Sequence, residues 1–171
     1  TDRLAQLIAR HVKVAVSGDG ADELLGSYLS HRMAAAIPHW PNPTPEFTAE
    51  EVARLRTTED WRWRAQLLVF SDVEKSALYS PGFRAEAGAV RTEHHVRDSM
   101  FTGLTARDPL NRMLEAEFRA FLPDQVLAFT DRLSMAHSLE VRAPFLDTAF
   151  VEFAASLPGR LKIHGGATKY L

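Results

Sequence analysis

The sequence has no cysteine among its 171 residues, which excludes disulfide scaffolds, thiolate metal sites and cysteine nucleophiles. It also has no apolar run close to the roughly 20 residues that a membrane-spanning helix needs. Charges nearly balance, with 20 Lys and Arg against 22 Asp and Glu. This balance argues against a strongly basic nucleic-acid binder and a highly charged disordered chain. We therefore expect a soluble, cytoplasmic protein with no nucleic-acid or membrane partner.

One convincing strand lies near the start of the chain, over residues 12–17, because valine occupies every second position from 12 to 16. A helical stretch is predicted after it, from about Ala21 to Ala36. A lone strand cannot satisfy its backbone hydrogen bonds. Either other segments pair with it weakly, or its neighbours lie outside this chain. We favour the second interpretation, because the sequence starts without Met just before a helix. Unpaired strand edges would then predict a homodimer or a poorly soluble monomer.

The remainder of the sequence is typical of helices. Four prolines between Pro38 and Pro45 predict an extended connector between residues 1–37 and a helical part over residues 46–171. Helix-start signals recur in that helical part, at Thr48 with Glu51, Ser71 with Glu74, Asp108-Pro109, Pro123-Asp124 and Asp147.

An acidic, glycine-containing turn follows the strand, with Asp19, Asp22 and Glu23 within five residues. Glycine lets the backbone approach a ligand, and the free N–H groups of a first helical turn attract anions. Three carboxylates would repel a bare phosphate, but they suit a phosphate with a hard cation such as Mg²⁺ in between. The alternative is a tight turn in which Asp19 or Asp22 caps the helix and Glu23 favours its dipole. The pattern alone leaves both open.

Two later segments also carry charge in recurring patterns. Residues 131–147 alternate charged with apolar side chains, and we interpret them, including Glu140 and Arg142, mainly as a helix-packing network that is partly buried. Lys169 follows two glycines and could contact a phosphate as a mobile point charge. Taken alone, a lysine near a chain end is usually solvated.

In this order, three segments resemble the synthetase domain of glutamine-hydrolysing asparagine synthetases. Residues 17–28 resemble its SG(E/D)G(A/S/G)DE(L/I)FGGY segment. Residues 122–147 are similar to its LPDD…DR.SMA.S.E.R.PFLD segment, and residues 165–171 to its GG..K(W/Y)LL region. The resemblance implies an α/β fold of the adenine-nucleotide-alpha-hydrolase-like, ATP pyrophosphatase type. This chain would be its predominantly helical portion, with one strand of the parallel sheet.

The resemblance also implies an activity. The family adenylates the side-chain carboxylate of aspartate with Mg-ATP and releases pyrophosphate, and ammonia from glutamine then displaces AMP. By this likeness Ser17, Gly18 and Gly20 would bind ATP and AMP. Asp22 would hold Mg²⁺, with Glu23 as a further candidate ligand.

Two residues would be catalytic by the same resemblance. Asp19 occupies the position where a glutamate usually supports formation or breakdown of the acyl-adenylate, and it is one methylene shorter. Lys169 matches the lysine that contacts the phosphates as pyrophosphate leaves.

Two parts of the family pattern have no match in this sequence: the SGG.DS pyrophosphate loop and the cysteine-led glutaminase domain. We therefore expect the chain to be the C-terminal part of one synthetase domain, inactive alone in ATP–pyrophosphate exchange. Two alternatives stay open. One is a paralogue that adenylates another carboxylate, such as a β-lactam synthetase or a peptide-cyclising or amidating enzyme. The other is a helical interaction module that has lost catalysis.

Overall fold

The computed structural model describes residues 1–39, 44, 46–88 and 91–171. Eleven α-helices and two short strands lie within these residues: α1 Asp2–Ile8, β1 Val14–Val16, α2 Ala21–Leu25, α3 Leu29–Ala36, α4 Ala49–Thr57, α5 Asp60–Ala65, α6 Asp72–Leu78, α7 Pro81–Ala87, α8 Thr92–Val96, α9 Pro109–Ala116, α10 Ala128–Met135, β2 Glu140–Arg142 and α11 Thr148–Ser156. Two wide, π-helical stretches, Arg97–Phe101 and Glu117–Leu127, continue α8 and α9. None of the helices in this part of the chain has the length and apolar character that crossing a membrane requires.

The predicted strand is present, and it has a partner within the chain. β1 runs parallel to β2, with Val14 opposite Glu140 and Val16 opposite Arg142. Our expectation that its neighbours lie outside this chain was therefore wrong for this edge of β1. The interpretation of Glu140 and Arg142 as part of a partly buried helix-packing network was also wrong. They form an ion pair on a strand, with side chains 51% and 71% exposed. The alternation of Glu-Val-Arg covers only three residues, too few to predict a strand, and β1 provides the edge with which this segment pairs.

The helix expected from Ala21 to Ala36 is two helices, α2 and α3, separated at Gly26. Gly26 has a φ of +84°, and a Cβ there would lie 2.9 Å from Cδ1 of Ile163. This combination of backbone conformation and close approach favours glycine. The backbone N–H groups of Ser27 and Tyr28 donate to Nδ1 of His31, at 3.1 and 3.3 Å. These two hydrogen bonds satisfy backbone donors just before α3. α2 therefore ends at a glycine, at a position where both the backbone conformation and the nearby Ile163 disfavour a side chain.

Most of the predicted helix starts are confirmed by side-chain hydrogen bonds, at Thr48, Ser71, Asp108 and Asp147. Pro123 does not open a helix, because it lies inside the π-helical stretch that continues α9. Proline lacks an N–H, and a widened helix can accommodate the missing bond. The connector predicted between Pro38 and Pro45 falls largely on residues 40–43 and 45, which lie outside the described residues.

The main apolar core lies where α3, α4, α5, α8 and α9 meet. Both tryptophans of α5 are buried in it, and its members are Ala34, Leu55, Trp61, Trp63, Val96, Phe101, Met113 and Ala116. The acidic turn lies outside this core, and α2 contacts α9 and α11. The helical core thus supports one side of the turn, and the two strands support the other.

A buried ionic cluster ties the core helices together around Glu117, whose side chain is 2% exposed. Arg64 donates its Nε–H to Oε1 at 2.6 Å, and the Ser30 hydroxyl donates to the same oxygen at 2.7 Å. Nε2 of His31 lies 3.2 Å from Oε2, outside good hydrogen-bond geometry, so this contact is mainly electrostatic. Because Nδ1 of His31 accepts two backbone N–H groups, the ring proton that faces Glu117 lies on Nε2.

Candidate functional site

The acidic turn begins where β1 ends. The backbone N–H of Ser17 donates to the carbonyl oxygen of Arg142 at 2.8 Å, so the turn leaves the sheet beside the end of β2. The carboxyl ends of parallel strands form the edge at which α/β proteins place their ligands. The sequence Ser-Gly-Asp-Gly therefore lies at the edge where chemistry is expected.

Gly20 fixes the path of the turn. It is buried and has a φ of +89°, and a Cβ there would lie 2.2 Å from Cδ2 of Leu146. Leu146 belongs to the segment that follows β2, so the two segments that leave the sheet pack directly on each other. Gly18, in contrast, is exposed, with open space where a Cβ would be.

Asp19 and Ser17 contact each other within the turn. The hydroxyl of Ser17 donates to Oδ2 of Asp19 at 3.1 Å, and both side chains are half-buried. The N-cap residue of α2 is Gly20, which has no side chain to cap the helix, and within the described residues neither Asp19 nor Asp22 makes a capping hydrogen bond. The alternative in which Asp19 or Asp22 serves as a helix cap is therefore wrong.

Asp22 and Lys169 lie together, although most of the chain separates them in sequence. Nζ of Lys169 is 2.7 Å from Oδ1 of Asp22, and the hydroxyl of Ser27 also donates to that oxygen. Burial alone would raise the pKa of Asp22, but the hydrogen bonds from Lys169 and Ser27 and the lysine charge outweigh it and lower the pKa. Asp22 is therefore an anion held beside a cation at the edge of the turn.

The last segment of the chain carries Lys169 to this position. His164 and Ala167 exchange backbone hydrogen bonds of 3.0 and 2.9 Å across a turn with two glycines, and the N–H of Tyr170 donates to the carbonyl of Lys162 at 3.0 Å. Lys169 itself has a φ of +52°, which is uncommon for a residue with a side chain. Because this segment folds back on itself, the ammonium group of Lys169 lies over α2.

Glu23 points elsewhere. Its side chain is buried, with the residue 1% exposed, and the hydroxyl of Tyr28 donates to Oε1 at 2.7 Å. Burial and this hydrogen bond both raise the pKa of Tyr28 above its usual value. The three carboxylates of the turn therefore do not converge: Asp19 faces Ser17, Asp22 faces Lys169, and Glu23 lines a pocket beneath α2.

A metal site is not preformed in the part of the chain that the structure describes, where no three His, Cys, Asp or Glu side chains are grouped to hold an ion. Asp22 alone suits Mg²⁺, because it is anionic and partly exposed. One or two carboxylates together with substrate phosphates and water commonly complete a magnesium site. Glu23 does not suit that role, because its carboxylate is buried and faces Tyr28, away from the exposed side of the turn.

Our sequence analysis did not single out two polar groups that line the same pocket as Glu23. Lys162 is buried, and Oδ1 of Asn111 has no hydrogen-bond partner among the residues that the structure describes. A lysine between Leu161 and Ile163 was the available signal, because a cation within an apolar run is a candidate for burial.

Comparisons with known proteins identify the family of this chain. The family model described as Asparagine synthase matches residues 2–171. Asparagine synthetase [glutamine-hydrolyzing] 1 of Bacillus subtilis is 29% identical, over 98% of this chain and 28% of the relative. Asparagine synthetase [glutamine-hydrolyzing] 3 of the same organism is 28% identical, over 95% of this chain and 23% of the relative. Amidase chry2 of Gibberella zeae is 23% identical, over 93% and 28%.

The chain thus spans about a quarter of the length of the relatives it matches. The family match extends over nearly every residue, including the turn after β1, β2 and the segment that carries Lys169. It confirms the predicted α/β fold class of the ATP pyrophosphatase type. The chain belongs to the asparagine synthase family.

Proposed function

We propose that this chain is the C-terminal part of the synthetase domain of an ATP-dependent ligase that converts aspartate to asparagine. Its family membership and the names of its relatives support this proposal. The structural observation that carries it is the 2.7 Å contact between Lys169 and Asp22, beside the turn that follows β1. This contact places a cation suited to phosphate next to a carboxylate suited to magnesium.

The proposed reaction has two steps. An oxygen of the aspartate side-chain carboxylate attacks the α-phosphorus of ATP, and the bond from that phosphorus to pyrophosphate breaks. Ammonia, which a glutaminase domain would supply from glutamine, then attacks the acyl carbon, loses its proton to solvent or a base, and AMP leaves. Both steps depend on neutralised phosphate charge and on a carboxylate held in line with the phosphorus.

The residues in the turn and beside it would each have a separate role in this reaction. Ser17, Gly18 and Gly20 would line the site for ATP and AMP at the carboxyl end of β1. Asp22 would hold Mg²⁺, and the ion when bound would neutralise phosphate charge. Lys169 would contact the phosphates as pyrophosphate leaves.

Asp19 would support formation or breakdown of the acyl-adenylate. Its carboxylate accepts a hydrogen bond from Ser17, so both residues face the same side of the turn. We also propose that the protein acts in the cytoplasm. We propose in addition that it forms a homodimer, because Val14 and Val16 of β1 remain exposed.

The test uses two forms of the protein. The 171-residue chain alone should catalyse no ATP–pyrophosphate exchange, and detectable exchange would overturn the proposal that it is only part of a domain. In a longer protein that carries this segment, Lys169→Met should lower kcat for AMP formation by at least about 100-fold. The matched control, Lys13→Met, removes an exposed lysine and should leave kcat unchanged.

The carboxylate substrate is tested in the same longer protein. Formation of asparagine from aspartate, ATP and ammonia would support the proposal. Amide or lactam formation only from another carboxylate would assign the chain to a paralogue. Wild-type activity of Lys169→Met would show that Lys169 does not act on the phosphates.

A further inference from the structure

The carboxylate of Asp22 receives both of its side-chain donors on one oxygen. The hydroxyl of Ser27 donates to Oδ1, and Nζ of Lys169 lies 2.7 Å from the same atom. Within the residues that the structure describes, no side chain donates to Oδ2, and 33% of the Asp22 side chain is exposed. Oδ2 is therefore the oxygen that remains available to a ligand from outside the turn.

The two donors on Oδ1 differ in their freedom to move. The side chain of Lys169 is long and 44% exposed. In the proposed reaction its ammonium group contacts the phosphates, and that contact would draw it away from Asp22. A serine side chain has a single torsion to its hydroxyl oxygen, so Ser27 loses little rotamer entropy by keeping its hydrogen bond. Ser27 is thus the donor that stays on Oδ1 when the nucleotide is bound.

The backbone around Ser27 is held in place on both sides. The N–H of Ser27 donates to Nδ1 of His31 at 3.1 Å, and His31 is 0% exposed. The N–H of Gly26, the preceding residue, donates to the carbonyl oxygen of Asp22 at 2.8 Å. Gly26 in turn lies against Ile163, with no room for a Cβ. The Ser27 hydroxyl therefore extends from a fixed point toward the carboxylate.

We propose that Ser27 is a positioning residue, which holds Oδ1 of Asp22 and so leaves Oδ2 free to bind the Mg²⁺ that accompanies the nucleotide. Loss of a hydrogen bond that orients a metal ligand commonly lowers metal affinity by about 10–100-fold. The family segment that residues 17–28 resemble has glycine at position 27, so this hydroxyl is a feature of this chain. The inference rests on the proposed function, which assigns Mg²⁺ to Asp22.

The test measures binding in the absence of catalysis. In a longer protein that carries this segment, isothermal titration follows α,β-methylene-ATP, which lacks the bond that adenylation breaks, once with Mg²⁺ and once with EDTA. Ser27→Ala should weaken binding of the Mg²⁺ complex about tenfold and change binding of the metal-free nucleotide by less than about twofold. Unchanged affinity for the Mg²⁺ complex in folded Ser27→Ala, or an equal loss in both titrations, would overturn the inference.

Asp22→Asn separates this inference from the proposed function. If Asp22→Asn weakens binding of the Mg²⁺ complex and Ser27→Ala does not, only the role of Ser27 is refuted. If Asp22→Asn also leaves the affinity unchanged, the assignment of Mg²⁺ to Asp22 is refuted as well. Ser156→Ala is the matched control, because it removes an exposed hydroxyl that donates to the carbonyl of Phe153, and it should bind both forms normally.

Steady-state kinetics distinguish positioning of the metal ligand from a structural role. In Ser27→Ala the Mg²⁺ concentration that gives half the maximal rate of AMP formation should rise about tenfold, while kcat at saturating Mg²⁺ stays within about twofold of wild type. Restored magnesium dependence in Ser27→Thr, which keeps a hydroxyl at this position, would support the inference. A lower kcat in Ser27→Ala with an unchanged half-saturating Mg²⁺ concentration would overturn it.

Discussion

Replacement of Glu117 by alanine is expected to destabilise this protein more than most single substitutions. The change leaves the guanidinium of Arg64, 7% exposed, without the carboxylate that now lies 2.6 Å from its Nε. Removal of one partner from a buried ion pair costs about 3–5 kcal/mol. For a chain of this size that loss corresponds to a fall in Tm of about 6–20 °C. Thermal unfolding followed by circular dichroism at pH 7 measures it.

The same carboxylate makes stability depend on pH. Burial alone would raise the pKa of Glu117, but its contacts with His31, Arg64 and Ser30 lower it to about 2, from the usual 4.5. Because the folded state favours the anion, the stabilisation is fully present above about pH 4.5 and is lost as the pH falls toward 2. The shift corresponds to about 3 kcal/mol. The gap in unfolding free energy between wild type and Glu117→Gln should therefore narrow over this range in urea titrations.

A surface glutamate provides the control for both measurements. Glu86 is exposed on α7, and Glu86→Ala should change the free energy of unfolding by no more than about 0.5 kcal/mol at any of these pH values. The reasoning is refuted if Glu117→Ala costs less than about 1 kcal/mol at pH 7. It is refuted equally if the gap between wild type and Glu117→Gln stays constant as the pH falls.

Three further outcomes are expected. Gly20→Ala should destabilise the protein by about 1–3 kcal/mol in urea unfolding, because φ is +89° and the new Cβ would collide with Leu146. The control Gly82→Ala, in a helix with open space at that position, should stabilise the protein slightly. Equal effects of the two substitutions on the free energy of unfolding would contradict this reasoning. Asp147→Ala should cost about 1 kcal/mol, since it removes the carboxylate that accepts two N–H groups at the start of α11, and an unchanged Tm would contradict that. Light scattering should show a dimer or a poorly soluble monomer, whereas a well-behaved monomer would contradict the expected association of exposed strand edges.

Features that depend on a few neighbouring residues were predictable from the sequence. The caps at Asp108 and Asp147 formed as expected, because a cap is a contact across three residues. β1 was predictable because its valines alternate. The turn after β1 was found by its glycines and carboxylates, and its pairing with Lys169 was suggested only by the family resemblance.

Features that depend on distant segments were not predictable in this way. β2 forms because β1 offers an edge, and a side chain at position 26 is disfavoured because Ile163 packs there. The burial of Lys162 likewise follows from the helices packed around it, and charge is a poor sequence signal for burial. In each case the deciding contact comes from a residue far away in sequence.

The parallel pairing of β1 with β2 affects the order in which parts of the site form during folding. Residue 14 must meet residue 140 to close this pair, and Asp22 must meet Lys169 across a still longer span. Closing such spans costs chain entropy before any contact compensates it, so these encounters come late in folding. The helices can therefore assemble while the acidic turn still lacks its cation. Local opening of residues 164–170 would in turn withdraw that cation and leave the helical core in place, a transition that hydrogen exchange would register at the Tyr170 amide before the core amides.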